Sequence, residues 1–337
     1  MSMFQRKTFM AIKQATKLLK GIWGFSVLFA LMAGTAFAQN YPDRSVRIIV
    51  PYAVGGGADV FARVIAKALE KQWNQAVVVE NKVGASGNIG TLDVVRAAPD
   101  GHTLLLQNVS IATNYAIQGK LPFSPASDLT PLLMLGSTPH IVVAHPRAGV
   151  NNLQELIASV KKNPGALAYG SCGVGTPQHF AMEVLRQLAG LEMTHVGYKG
   201  CAPAVNDVLA GQIPFAVVSA NLATQHVAAQ RLKAIGITSD RRYSVMPDAP
   251  TIEEQGVKGF NYFGWYALMA PAKLPADVVA KVIGSVNRVM DDPSVQKTLA
   301  DAGVDTKRGT AAELSQIIAE DSSRYFNLAR KMNLKAE

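Results

Sequence analysis

Residues 51–59 read Pro-Tyr-Ala-Val-Gly-Gly-Gly-Ala-Asp, and they follow an apolar run, Val46, Arg47, Ile48, Ile49 and Val50. After them Val60, Phe61, Val64, Ile65, Ala68 and Leu69 recur at helical spacing, with Arg63, Lys67, Glu70 and Lys71 on the opposite face. The pattern predicts a strand, a glycine-rich loop and a helix N-terminus. That geometry turns backbone N–H groups and the positive end of a helix dipole toward an anion. Three glycines let the backbone approach a ligand closely. The loop has no side chain suited to nucleophilic or redox chemistry. Tyr52, Ala53, Val54, Gly55, Gly56 and Gly57 are therefore expected to form one half of a site for a small carboxylate.

The same physics recurs further along. Leu167, Ala168 and Tyr169 read as a strand, and residues 170–175 as a loop. Thr176 stands as N-cap, with Pro177 at the first helical position. Phe180, Ala181, Val184, Leu185 and Leu188 give the following helix its buried face. An ordinary capped turn would look the same in isolation. Two such loops in different parts of the chain favour an anion site that also takes in Ser171, Gly173, Val174, Gly175 and Thr176.

Polar residues at the ends of parallel strands are further candidates, because α/β sheets bind ligands there. One predicted strand, residues 103–107, leads to Ser110 and Asn114; another, residues 215–218, leads to Ser219 and Asn221. Asp59 and Asp207 lie near predicted helix starts and read chiefly as caps, with ligand contact as the second possibility. His179, third in its helix, reads as a helix-end donor rather than a catalyst. Lys199 is either a solvated loop lysine or a partner for a ligand anion.

Residues 84–90 space their glycines as GxxGxxG, which is not a dinucleotide fingerprint. P-loop, nucleophile-elbow and zinc-ligand spacings are missing too. Cys172 and Cys201 give neither a disulfide framework nor a metal spacing; they can pair, but two free thiols is the simpler expectation. No cofactor, metal or catalytic residue is expected.

Residues 1–38 read as a signal peptide, with an uncleaved signal anchor as the rival because 18 uncharged residues approach a membrane span. Arg6, Lys7, Lys13, Lys17 and Lys20 form the basic region, residues 21–38 are uncharged, and Ala36-Phe37-Ala38 fits a cleavage site before Gln39. Its removal leaves 28 basic against 24 acidic residues, a net charge of +4. That balance is too weak and scattered for nucleic acid. The remaining length predicts two α/β domains with mostly parallel sheets. Apolar runs at 132–135 and 141–144, parted by Gly136-Ser137-Thr138-Pro139, suggest a crossover, and residues 262–269 suggest a second. Domain 1 is then 39–138 plus 265–337, and domain 2 is 139–264.

These residues carry a resemblance. Tyr41-Pro42, Ile48-Ile49-Val50-Pro51 and Gly55-Gly56-Gly57-Ala58-Asp59 resemble the Bug (Bordetella uptake gene) family, the extracytoplasmic solute receptors of tripartite tricarboxylate transporters. Val79-Glu80-Asn81, Gly87-Asn88-Ile89-Gly90, Pro99-Asp100-Gly101, Tyr169-Gly170-Ser171, Gly173, Gly175, His179, Tyr198-Lys199-Gly200 and Ala202-Pro203-Ala204 continue it. The resemblance implies a two-lobed, type II-like periplasmic binding protein, monomeric, with a carboxylate in the inter-domain cleft and a membrane permease as partner. It implies roles for residues 52–57 and 171–176 in holding that carboxylate. Ala53 and Val54 replace frequent prolines, Asn221 replaces another, and Val218 replaces a frequent aspartate. The last change disfavours a ligand ammonium and points to plain mono- or dicarboxylates, or to aromatic ones flanked by Tyr52 and Tyr115. A secreted enzyme acting on carboxylates and a ligand-presenting sensory receptor are the alternatives.

Overall fold

Strand β1 (Val46–Val50) has Val46, Ile48, Ile49 and Val50 fully buried, as suits a strand covered on both faces. In the computed structural model, which describes residues 41–306, 308–332 and 334, β1 pairs in parallel with β2 (Val77–Asn81) and β3 (Thr103–Asn108). The predicted leader and its cleavage site lie outside the described residues. Helix α1 (Gly57–Trp73) buries Phe61, Ile65 and Leu69. Helices α2 (Asn88–Val95) and α3 (Ser110–Gln118) flank β3 in sequence.

The apolar runs expected as separate pieces are one strand. β4 (Leu129–Ala144) passes straight through residues 136–139, and β9 (Phe263–Pro271) runs antiparallel to it. Ser137 stands opposite Trp265, Thr138 opposite Gly264, and Pro139 opposite Phe263. The turn-forming residues are absorbed by a register shift between Met134 and Gly136. On its other side Ser137 exchanges both backbone bonds with Asp305, at 2.7 and 2.9 Å.

After helix α4 (Leu153–Lys162), strand β5 (Ala168–Ser171) pairs in parallel with β6 (Thr194–Gly197) and β7 (Phe215–Ser219). Helices α5 (Pro177–Ala189), α6 (Cys201–Leu209) and α7 (Ala220–Ala228) connect them and lead to β8 (Lys233–Ile237). The sheet order is β2-β1-β3-β9-β4-β7-β5-β6, with β8 on β4. The outer strands are thus parallel, as expected, while the long β4 and β9 make antiparallel pairs at the centre.

The predicted caps form. Asn152 Oδ1 accepts the Glu155 N–H at 2.9 Å, and Thr310 and Glu313 make a reciprocal capping box. Helices α8 (Ala276–Asp291), α9 (Pro293–Asp301) and α10 (Ala311–Lys331) close the chain, and α10 packs on α3 and β4. Trp265 donates to Asp321 Oδ2 at 2.8 Å, tying α10 to the β4–β9 crossing. The described residues from Arg44 onward make one compact unit. Among the described residues no helix is long and apolar enough to cross a membrane.

Candidate functional site

The loop after β5 is shaped by its glycines. Gly173 and Gly175 have φ of 137° and 73°, where a side chain is strained. Thr176 caps α5 as expected: its Oγ1 accepts the His179 N–H at 3.3 Å and donates to Gly173 O at 2.8 Å. Ser171 does not face the open side of this loop. It is fully buried, with its Oγ 2.7 Å from His195 Nε2 and 3.1 Å from Gly173 O. With no exposed surface, the Ser171 hydroxyl is not presented to a substrate.

His179 is likewise a support. Its Nδ1 accepts the Gly175 N–H at 3.1 Å, its ring stacks on His195 at 3.8 Å, and its Nε2 lies 3.9 Å from Glu183 Oε1. The accepting Nδ1 places the proton on Nε2, toward Glu183. Burial, with His195 beside it, pushes the His179 pKa down to about 4, so the ring is neutral at physiological pH. Glu183 is itself held by Arg186 at 2.5 Å and by the Tyr169 hydroxyl.

The loop after β1 is built differently from what its glycines suggest. Asp59, 2% exposed, accepts the Gly55 N–H at 2.9 Å, Arg63 Nε at 3.0 Å and Asn81 Nδ2 at 2.9 Å. Burial raises its pKa, but these bonds outweigh that and hold the carboxyl below its ordinary range. Asp59 is therefore the loop's internal anion, occupying an amide that a ligand would otherwise take. No side chain caps α1 at Gly56. Gly57 has no room for a Cβ, because the Tyr266 hydroxyl lies there. Ala53, Val54, Gly55 and Gly56 are exposed. The Tyr52 hydroxyl bonds Gln107 Oε1 and, at 2.8 Å, Asn108 Oδ1, which also takes the Ser110 N–H.

A cleft of about 970 Å³ brings distant parts of the chain together. One wall is Ala85, Ser86, Asn114, Ile117, Gln118 and Lys120; the other is residues 172–176 and 197–199. Of the expected residues, Asn114, Gly173, Val174, Gly175 and Thr176 line it. Among the described residues that line it, none comes from 52–57; the first loop reaches its edge only through the Tyr52 ring, which packs on Gly87 beside Ser86. Asn114 shapes its wall by donating to Ser86 O at 2.7 Å. The walls meet where the Ile117 side chain occupies the space above Gly175.

The remaining expected residues lie elsewhere. Asp207 caps nothing, because α6 starts at Cys201 and places it in the last turn; it accepts the Tyr198 hydroxyl at 2.7 Å. Burial, and then this bond, push the Tyr198 pKa up to about 12. Ser219 takes Gln178 Nε2 at 3.0 Å, and Asn221 packs against Gly303. Neither Tyr52 nor Tyr115 lines the cleft, and Tyr115 lies against Phe326, at 6.0 Å between ring centres. Cys172 and Cys201 are paired, not free. The bond ties the cleft loop to Cys201, the first residue of α6.

Ile117, Gln118, Lys120 and Tyr198 were not singled out by the sequence as site residues. Residues 194–198 do read as a strand that ends at Tyr198 and leads to Lys199, which is a usable signal. Lys120 follows a helix whose position depends wholly on tertiary packing.

A model of the tripartite tricarboxylate transporter family receptor matches residues 61–334. The chain is 31% identical to protein BugT of Bordetella pertussis over 322 residues, 95% of this chain and 98% of that one. Its fold matches that of the periplasmic binding protein BugD with a TM-score of 0.78 and 31% identity, over 88% of this chain and all of that one. It also matches MatC of Rhodopseudomonas palustris with bound malate, with a TM-score of 0.76 and 30% identity, over 86% and 99% of the two chains. A solute-binding α/β fold, a cleft joining two distant loops and a match along nearly the whole chain agree: this protein belongs to the tripartite tricarboxylate transporter receptor family, a family of solute-binding receptors and not of enzymes.

Proposed function

We propose that this receptor captures a small aliphatic mono- or dicarboxylate in the cleft and delivers it to the permease subunits of a tripartite tricarboxylate transporter. The observation that carries this reading is the cleft itself. Its lining includes the loop at the N-terminus of α5 and two lysines, and no acidic side chain among the described residues. Helix N-termini and cations both favour an anion. The malate bound to the similar MatC protein is in keeping with it.

In this reading residues 1–38 are removed and the receptor works in the periplasm as a monomer. It has two lobes, 39–138 with 265–337, and 139–264, hinged where β4 crosses β9. Gly173, Val174, Gly175 and Thr176 present the carboxylate site, and Asn114 bounds it. Ser171, His179 and Asp207 hold that surface in place from behind, as Asp59 does for the first loop, rather than touching ligand. Aliphatic acids are favoured over aromatic ones such as phthalate because neither Tyr52 nor Tyr115 lines the cleft.

A thermal-shift screen of carboxylates against their amides tests the reading. A ligand at 100 times its Kd should add about 2.7 kcal/mol of stability. Equal stabilisation by acid and amide, or by none of the acids, would overturn it.

A further inference from the structure

Two cations face the cleft from opposite walls. Lys199 stands on the wall of the anion loop, and Lys120 on the wall formed by α3. Among the described residues neither forms an ion pair or side-chain hydrogen bond. Other cations of this chain are engaged: Arg63, Lys82, Arg186 and Arg241 each hold a carboxylate at 2.5–3.0 Å.

Both lysines stand on fixed backbone. Around Lys199, the Tyr198 N–H donates to Ser171 O at 3.1 Å and the Gly200 N–H to Cys172 O at 3.0 Å. The Cys172–Cys201 bond closes the same corner. Lys120 follows Gly119, whose φ of 67° and bond to Tyr115 O at 3.0 Å end α3. The C-terminal end of a helix carries partial negative charge, which repels an anion unless a cation offsets it. A ligand with one carboxylate at residues 173–176 has its far end toward Lys120.

We propose that the two lysines divide a doubly charged ligand between them, Lys199 beside the carboxylate at the loop and Lys120 reading the second carboxylate from the opposite wall. This rests on the carboxylate reading above. Lys120 is then the residue that determines whether a diacid is preferred over a monoacid of the same length.

Isothermal titration of the mature protein with linear dicarboxylates from succinate to suberate, and with their monomethyl esters, tests it. Removing one charge-assisted hydrogen bond at a partly exposed site weakens affinity by about 10-fold. The wild type should prefer the best-binding diacid over its monoester by about that factor. Lys120→Gln should bring the ratio close to one, and Lys120→Arg should keep it. Lys199→Gln should weaken diacid and monoester alike by about 10-fold and leave the ratio standing. A ratio unmoved by Lys120→Gln, or one already near one in the wild type, overturns the assignment while leaving carboxylate binding intact. Failure of every acid to bind overturns the carboxylate reading and this inference with it. Circular dichroism of each variant confirms that it is folded.

Discussion

The amide of Gly175 donates to Nδ1 of His179 across 3.1 Å, so the loop on the cleft wall is anchored from beneath by an imidazole that must stay neutral. His179 has its pKa pushed down to about 4, and His140, also buried, to about 3. The unfolded chain binds protons near pH 6.5 that the folded chain refuses. The stability these rings contribute is therefore complete above pH 6.5 and lost as pH falls toward 4. Each ring adds a slope of up to about 1.4 kcal/mol per pH unit in that window. Depressed carboxyls such as Asp59 act below it. Urea unfolding at pH 7.5 and 5 should show the loss. His179→Gln should be less stable at pH 7.5 but with about half the pH slope; an unchanged slope would remove His179 from this account.

The Cys172–Cys201 bond closes a loop of 29 residues, which in the chain-entropy model stabilises the fold by about 3–4 kcal/mol. Reduction, or the paired Cys172→Ser and Cys201→Ser change, should lower the urea midpoint accordingly. It should also weaken carboxylate binding, because the bond braces the cleft loop against Lys199. Stability that falls while affinity holds would show that the two backbone bonds at Tyr198 and Gly200 are brace enough.

Gly175 is needed twice over. Its φ of 73° strains any other residue, and a Cβ there would come within 2.6 Å of Ile117 Cδ1. Gly175→Ala should cost about 1–2 kcal/mol for the backbone conformation, and more for the clash. Adding Ile117→Ala should recover the clash part and leave the conformational part. A double-mutant cycle with zero coupling would mean that the walls do not touch at this point.

What the sequence made legible was local. Thr176 as N-cap, the Asn152–Glu155 pair and the Thr310–Glu313 box need only neighbours within one turn, and all three form. Two glycine loops could be seen, and so could Asp59 as an acceptor for backbone N–H groups, but not that the amide it takes would be Gly55 of the ligand loop itself. That depends on Arg63 and Asn81 holding the carboxylate in place. The residues at 136–139 read as a break between two apolar runs, yet β9 pairs along them and Asp305 pairs with Ser137 from the other side, and ladder bonds outweigh propensity. Ser171 and Asp207 carry the right chemistry at plausible positions. Whether they face a cleft or a neighbour is decided by His195 and Tyr198, which no spacing rule connects to them. Lys120 became visible only when α3 was placed opposite the second loop.

Any closing motion has to pass through the crossing of β4 and β9. That crossing keeps its register through Ser137–Trp265 and Pro139–Phe263, with Asp305 paired to Ser137 on the far side, so a hinge there has to twist paired strands rather than flex a loose linker. Arg241 to Asp305, at 2.6 Å, and the Tyr243 hydroxyl on Gly303 O add ties between the same two parts of the chain. A ligand that touches both cleft walls binds the closed form better, and only that difference in affinity can drive closure. Saturation with the tightest acid from the screen should therefore lower the radius of gyration in small-angle scattering. Thr176→Val frees Gly173 O from its hydroxyl bond and should weaken binding by about 10-fold or more, with compaction restored only at correspondingly higher ligand. Tyr243→Phe, which removes a tie without touching the cleft lining, should make the ligand-free protein more expanded and leave the compact, saturated form as it was. Scattering that does not change on saturation, while amides of the 173–176 loop gain protection from hydrogen exchange, would mean the cleft is closed before ligand arrives and that the hinge plays no part in capture.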